Sequence, residues 1–176
     1  RGSMSTVIGI FEDHFLRKSI KNGVVFSEKL DQDTFNTEYS PEPSTFYNIN
    51  KIVALSDIHG QYDLLIKLLE NNKIIDKDLK WIFGDGHFVI VGDVFDRGDQ
   101  VNEVLWFLYD LEIQAKKKGG FVHFLLGNHE YMVFQNDLRY IHSKYHKTPF
   151  LLGIEYKELY GKNTVIGRWL RSKSTI

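Results

Sequence analysis

The sequence predicts an α/β protein built on a parallel βαβαβ core. Three apolar runs of strand length, Ile52 to Leu55, Phe88 to Val91 and Phe121 to Leu126, are separated by segments long enough to hold helices. The intervening segments repeat apolar residues at helical spacing, as parallel strands joined by right-handed crossovers require. Each run is followed by a short segment rich in Asp, His, Asn and Gly: Asp57-Ile58-His59-Gly60, Gly92-Asp93-Val94-Phe95-Asp96-Arg97-Gly98 and Gly127-Asn128-His129-Glu130. Ligands of open parallel sheets bind beyond the carboxyl ends of the strands, so these segments should meet in one crevice.

Residues 1–4 read as a cloning scar with no part in the fold. Residues 5–50 form a less readable N-terminal extension, with short strands at Val7 to Phe11 and Val24 to Phe26. A polar loop from Asp31 to Ser44, carrying Pro41 and Pro43, leads out of it. In residues 51–176 the first strand is followed by Leu64, Leu65, Leu68 and Leu69 at helical spacing, closed by Asn71-Asn72. Gly84-Asp85-Gly86, with His87 after it, reads as a turn before the second strand. Val101, Val104, Leu105, Leu108 and Leu111 mark the clearest helix. Lys116-Lys117-Lys118 suits the negative end of its dipole, and Gly119-Gly120 stops it. Glu130 to Ile141 and Glu155 to Arg171 read as further helical stretches.

A hydrophobic fraction of 43% over 176 residues fits one domain with a sizeable core. A net charge of −1 excludes the broad basic surface of a general nucleic-acid binder. The absence of cysteine excludes thiolate metal sites and disulfides but assigns no compartment. No apolar run approaches the roughly 20 residues that span a bilayer.

The residues at the three strand ends can do specific chemistry. Asp57 and His59, two apart, should emerge on one side of the pleat. A carboxylate with a neutral imidazole suits Mn, Fe or Zn better than Ca. Asp93 can bridge to a second ion, for which Asn128 offers an amide oxygen. Two ions about 3.5–4 Å apart can clamp both sides of an in-line displacement at phosphorus. Arg97 supplies a forked, permanently charged guanidinium for two phosphate oxygens. His129 can protonate the departing oxygen, with Asp96 holding its imidazole. Arg97, Asn128 and His129 would thus face the substrate phosphate. Glu130 is expected to hydrogen-bond around the ligands.

These segments, as D-x-H-G, G-D-x-x-D-R-G and G-N-H-E, resemble the calcineurin-like metallophosphoesterases, specifically the phosphoprotein-phosphatase branch. Trp81 to His87 and Ile166 to Leu170 are similar to the bacterial, Shewanella-like type. The resemblance implies a two-metal phosphomonoester hydrolase acting on phosphorylated proteins or small phosphoesters. It assigns Asp57, His59 and Asp93 to the first ion, Asp93 and Asn128 to the second, Arg97 to the phosphate, and His129 with Asp96 to the leaving group. The family completes its sheet and metal site with later histidines, so residues 51–176 are expected to be the N-terminal half of such a domain. This chain would then hold the first ion weakly and the second weakly or not at all. An open sheet edge should favour self-association. Alternatives are a nucleotide or dinucleoside polyphosphate hydrolase and a non-catalytic metal- or phosphate-binding module.

The remaining histidines read as structural. His123 should pack within its strand, and His142 and His146 should lie four apart on a solvated helix face. Arg168 and Arg171 flank Trp169 on a packed amphipathic helix, and Tyr62 and Tyr131 pack near the site.

Overall fold

The computed structural model describes residues 4–36 and 38–175; of the four residues read as a scar, 1–3 lie outside them, whereas Met4 begins a strand. Two sheets form. An antiparallel meander comprises β1 (Met4–Phe11), β2 (His14–Lys21) and β3 (Val24–Lys29). The expected parallel sheet comprises β4 (Ile52–Leu55), β5 (His87–Val91) and β6 (Phe121–Leu125), in that order. The helices are α1 (Tyr62–Asn71), α2 (Val101–Lys116), α3 (Asn128–Phe134), α4 (Lys144–Leu152), α5 (Tyr156–Leu159) and α6 (Val165–Arg171).

The meander follows from its turns and alternation. Glu12-Asp13 and Asn22-Gly23 all have left-handed φ, the geometry that closes two-residue hairpins. Alternate side chains of β1, among them Val7 and Phe11, are buried. The meander packs directly on the core. The Thr6 N–H donates to Asn102 Oδ1 at 2.7 Å, while Asn102 Nδ2 and Trp106 Nε1 both donate to Thr6 O, at 3.0 and 2.9 Å.

In α2, Val101, Val104, Leu105, Leu108, Leu111 and Ala115 are all buried, as their spacing requires. Gly119, with φ 77°, reverses the chain and lets the Gly120 N–H cap Ala115 O at 3.0 Å. Of the four leucines in α1, Leu65 and Leu69 are buried while Leu64 and Leu68 are exposed.

Several expectations require correction. The stretch from Glu130 to Ile141 is not one helix: α3 ends at Phe134, and Asn136 takes a left-handed φ of 59° that no helix continues through. Glu155 to Arg171 splits into α5 and α6, because the Thr164 hydroxyl accepts the Gly167 N–H and starts a new helix there. His142 precedes α4, where its Nδ1 accepts the Lys144 N–H at 3.2 Å, so it shares no helix face with His146. His87 is the buried first residue of β5, after a turn closed by Gly86 N–H to Phe83 O at 3.1 Å.

One face of the parallel sheet is met by the segment that carries Glu42 and Phe46. The Phe46 ring lies 5.1 Å from His87, 5.3 Å from Phe121 and 4.8 Å from His123. His123 Nε2 and His87 Nδ1 are hydrogen-bonded at 2.9 Å, and His123 Nδ1 meets Glu42 Oε2 at 3.3 Å. Lys173 Nζ reaches Glu42 at 3.2 Å and Glu112 at 2.6 Å, tying the segment to the end of the chain. Burial alone would raise the Glu42 carboxyl. The His123 hydrogen bond and the Lys173 ammonium outweigh burial and hold it at about 2, against an ordinary 4.5. A carboxyl held low stabilises the fold above its ordinary value, and that contribution is lost as pH falls from 4.5 toward 2. Glu42→Gln is therefore expected to cost about 1–2 kcal/mol at neutral pH and to flatten the acid limb of stability, measured by urea unfolding across that range. An unchanged acid limb would contradict the pairing.

Candidate active site

The three loops after β4, β5 and β6 do meet. Backbone bonds lock the first two together: His59 N–H donates to Asp93 O at 3.0 Å, Gly60 N–H to Val94 O at 2.9 Å and Gln100 N–H to Gly60 O at 3.2 Å. The approach is so close that a Cβ on Gly98 would lie 2.1 Å from His59 O, which is why glycine stands there. Asp57, His59, Asp93, Asp96 and Arg97 all have left-handed φ, between 43° and 69°. Such conformations cost about 1–3 kcal/mol each and persist only where surrounding bonds enforce them. Asp57 and His59 therefore lie beyond the end of β4, and their placement comes from this turn rather than from a strand pleat.

Glu130 is the clamp. Fully buried, its carboxylate accepts four backbone N–H groups. Oε2 takes Asp93 at 2.9 Å and Gly127 at 2.7 Å; Oε1 takes Val94 at 2.8 Å and Phe95 at 3.2 Å. One side chain thus fixes the second loop against the third. The Gly127 position is equally tight, since a Cβ there would meet Asp93 Oδ1 at 2.5 Å.

The side chains converge unevenly. His59, Asp93 and His129 each place a ligand atom within 4.8 Å of the others. Asp57 is exposed and stands outside that set, and Asn128 is exposed at the start of α3. Arg97 is exposed, with its backbone N–H on Tyr140 O at 2.9 Å. His59 Nδ1 donates to Phe95 O at 2.6 Å, which leaves Nε2 as the lone-pair nitrogen; Nε2 is buried without a partner. That is the state of an imidazole ready for a metal. His129 Nδ1 meets Asp96 Oδ2 at 2.6 Å, both residues being buried, while Asp96 Oδ1 has no partner. The His59 and His129 rings stand edge to face at 4.8 Å. The donor set of imidazole and carboxylate therefore fits a first-row divalent ion.

Two contributors escape the motifs. The Phe95 carbonyl that sets the His59 tautomer belongs to an x position of G-D-x-x-D-R-G, where the motif names no side chain. Tyr140 supports Arg97 through its carbonyl and places its ring 5.6 Å from His129, with no sequence signal to mark it.

Residues 50–174 match the family model of the calcineurin-like phosphoesterases. The chain is 31% identical over 142 residues to Shewanella-like protein phosphatase 2 of Arabidopsis thaliana, covering 81% of this chain and 35% of that protein. It is 34% identical over 127 residues to Shewanella-like protein phosphatase 1 of Plasmodium berghei (strain Anka), covering 70% of this chain and 33% of that protein. The crystal structure of a cold-active protein-tyrosine phosphatase from a psychrophilic Shewanella species superposes with a TM-score of 0.87 at 42% identity, over 97% of this chain and 57% of that one. The chain thus spans about a third of these curated relatives' length. Family membership implies divalent metal ions. Motif order, loop geometry and fold agree with the match over residues 50–174, and this chain belongs to the calcineurin-like phosphoesterase family.

Proposed function

We propose that this chain carries the metal-and-phosphate crevice of a phosphomonoester hydrolase of the protein-phosphatase type. The observation that carries the reading is the buried, unpartnered Nε2 of His59, within reach of a set that includes Asp93 and His129. Asp57, His59 and Asp93 would hold one divalent ion, and Asp93 with Asn128 a second, with Mn, Fe or Zn suited to these donors. When bound, such ions supply positive charge that polarises the phosphate and acidifies water. The chain's own residues do the rest. Arg97 grips phosphate oxygens through its fork. Asp96 holds the His129 ring by Nδ1 at 2.6 Å, so that Nε2 serves the leaving oxygen as proton donor. Glu130 keeps Asp93 and the α3 start in register through its four N–H bonds.

Phosphorylated proteins are the proposed substrates. The names of the relatives support these over nucleotides, because both curated relatives are called protein phosphatases. Hydrolysis of p-nitrophenyl phosphate with added Mn, by this chain and by a chain of the relatives' length, tests the reading. Turnover by the longer chain that EDTA abolishes, with ATP and a dinucleoside polyphosphate left intact, is expected. Phosphate binding without turnover by either chain would instead indicate a binding module, and turnover of nucleotides alone a nucleotide hydrolase.

A further inference from the structure

A groove of about 740 Å³ runs between the N-terminal parts of α1 and α2 and the start of β1. Its wall is aromatic: Tyr62 and Phe107 stand edge to face at 5.9 Å, and Trp106 continues the surface. Its rim is acidic, with Asp63, Asp99, Glu103 and Asp110. Among the described residues that line it there is no basic side chain, although the chain as a whole is nearly balanced, with 22 basic and 23 acidic residues. Lys144 Nζ pairs with Glu103 at 3.0 Å and donates to Asp99 O at 2.6 Å, so the negative charge left to the rim is that of Asp63, Asp99 and Asp110, and Asp110 accepts only a neutral amide, from Gln114 at 2.7 Å. The local charge is therefore a property of this groove and not of the protein's overall composition.

We propose that this groove docks a cationic peptide segment whose Lys or Arg residues alternate with apolar ones. Charge complementarity selects the occupant. Guanidinium and ammonium groups pair with rim carboxylates and lie favourably over aromatic faces, while their neighbours cover the apolar wall. The volume lies in the range of sites that enclose a few side chains. The groove also adjoins the crevice. Asp99 directly follows Gly98, Tyr62 lies two residues beyond Gly60, and Gln100 lines the groove while donating its backbone N–H to Gly60 O at 3.2 Å. A protein chain presenting a phosphorylated residue to the crevice would run its flanking basic residues into the groove. That last link rests on the proposed function; the docking itself does not.

The test needs neither metal nor phosphate, so its failure is separable from failure of the crevice. Fluorescence anisotropy would follow a labelled octapeptide of alternating arginine and leucine on the full chain. Saturable binding is expected, at least tenfold tighter than for the same peptide with glutamate in place of arginine and weakened by salt. Asp63→Asn, Asp99→Asn and Asp110→Asn together should weaken it about tenfold. The same charge removed elsewhere, by Glu28→Gln, Asp78→Asn and Glu155→Gln, should leave it within about twofold. Equal binding of the glutamate peptide, or equal loss in both triple variants, would overturn the assignment.

Discussion

Alanine in place of Glu130 is expected to lower the unfolding free energy by about 4 kcal/mol, among the largest single effects in this chain. The side chain is fully buried and accepts from the N–H groups of Asp93, Val94, Phe95 and Gly127. Each buried donor left unpaired costs about 1–3 kcal/mol, and water entering the vacated space recovers part of the sum. Glu130→Gln tests the cause more sharply. It keeps the volume but presents an amide NH₂ to two of the four donors, so it is expected to cost about 2–3 kcal/mol. Tyr131, the exposed neighbour, should lose under about 1 kcal/mol on truncation. Urea unfolding at neutral pH checks all three. A loss below about 1 kcal/mol for Glu130→Ala would mean that the second and third loops hold their geometry without the clamp.

The second large effect separates chemistry from metal holding. In a chain that turns over p-nitrophenyl phosphate, His129→Asn is expected to lower kcat by about 10²–10⁴-fold, the usual contribution of a positioned proton donor. Its bound metal should be retained, because the assigned role uses His129 against the leaving oxygen. The structure makes this a real choice, since His129 also lies within 4.8 Å of the His59 and Asp93 ligand atoms. Loss of metal from purified His129→Asn would make it a ligand instead. Asp93→Asn should do the reverse, losing metal first and turnover as a consequence, because Asp93 belongs to both proposed ion sites.

Much of this was legible before the structure, and the exceptions have physical causes. The parallel core was readable because β4, β5 and β6 are short apolar runs and α2 keeps a strict helical period. The meander was only half readable. Asn22-Gly23 is a strong hairpin signal, but β2 is masked by Arg17, Lys18 and Lys21, and its place in the fold depends on long-range bonds such as Thr6 to Asn102. His87 looked like a turn residue because what buries it, His123, lies 36 residues away. The motif residues announced themselves, yet how they converge did not. Left-handed φ at Asp57 and His59 replaces the pleat as the cause of their placement, and Asp57 is exposed and lies outside the tight set. Tyr140 illustrates the remainder: it acts on Arg97 through a backbone carbonyl, which no side-chain pattern reports.

Calorimetric titration of Mn into this chain, beside the Asp93→Asn variant, tests the central claim most directly. Saturable binding that Asp93→Asn weakens at least tenfold, with the variant's thermal unfolding unchanged, is the expected result. Binding of equal strength in both proteins would place the metal elsewhere and contradict the account of the crevice.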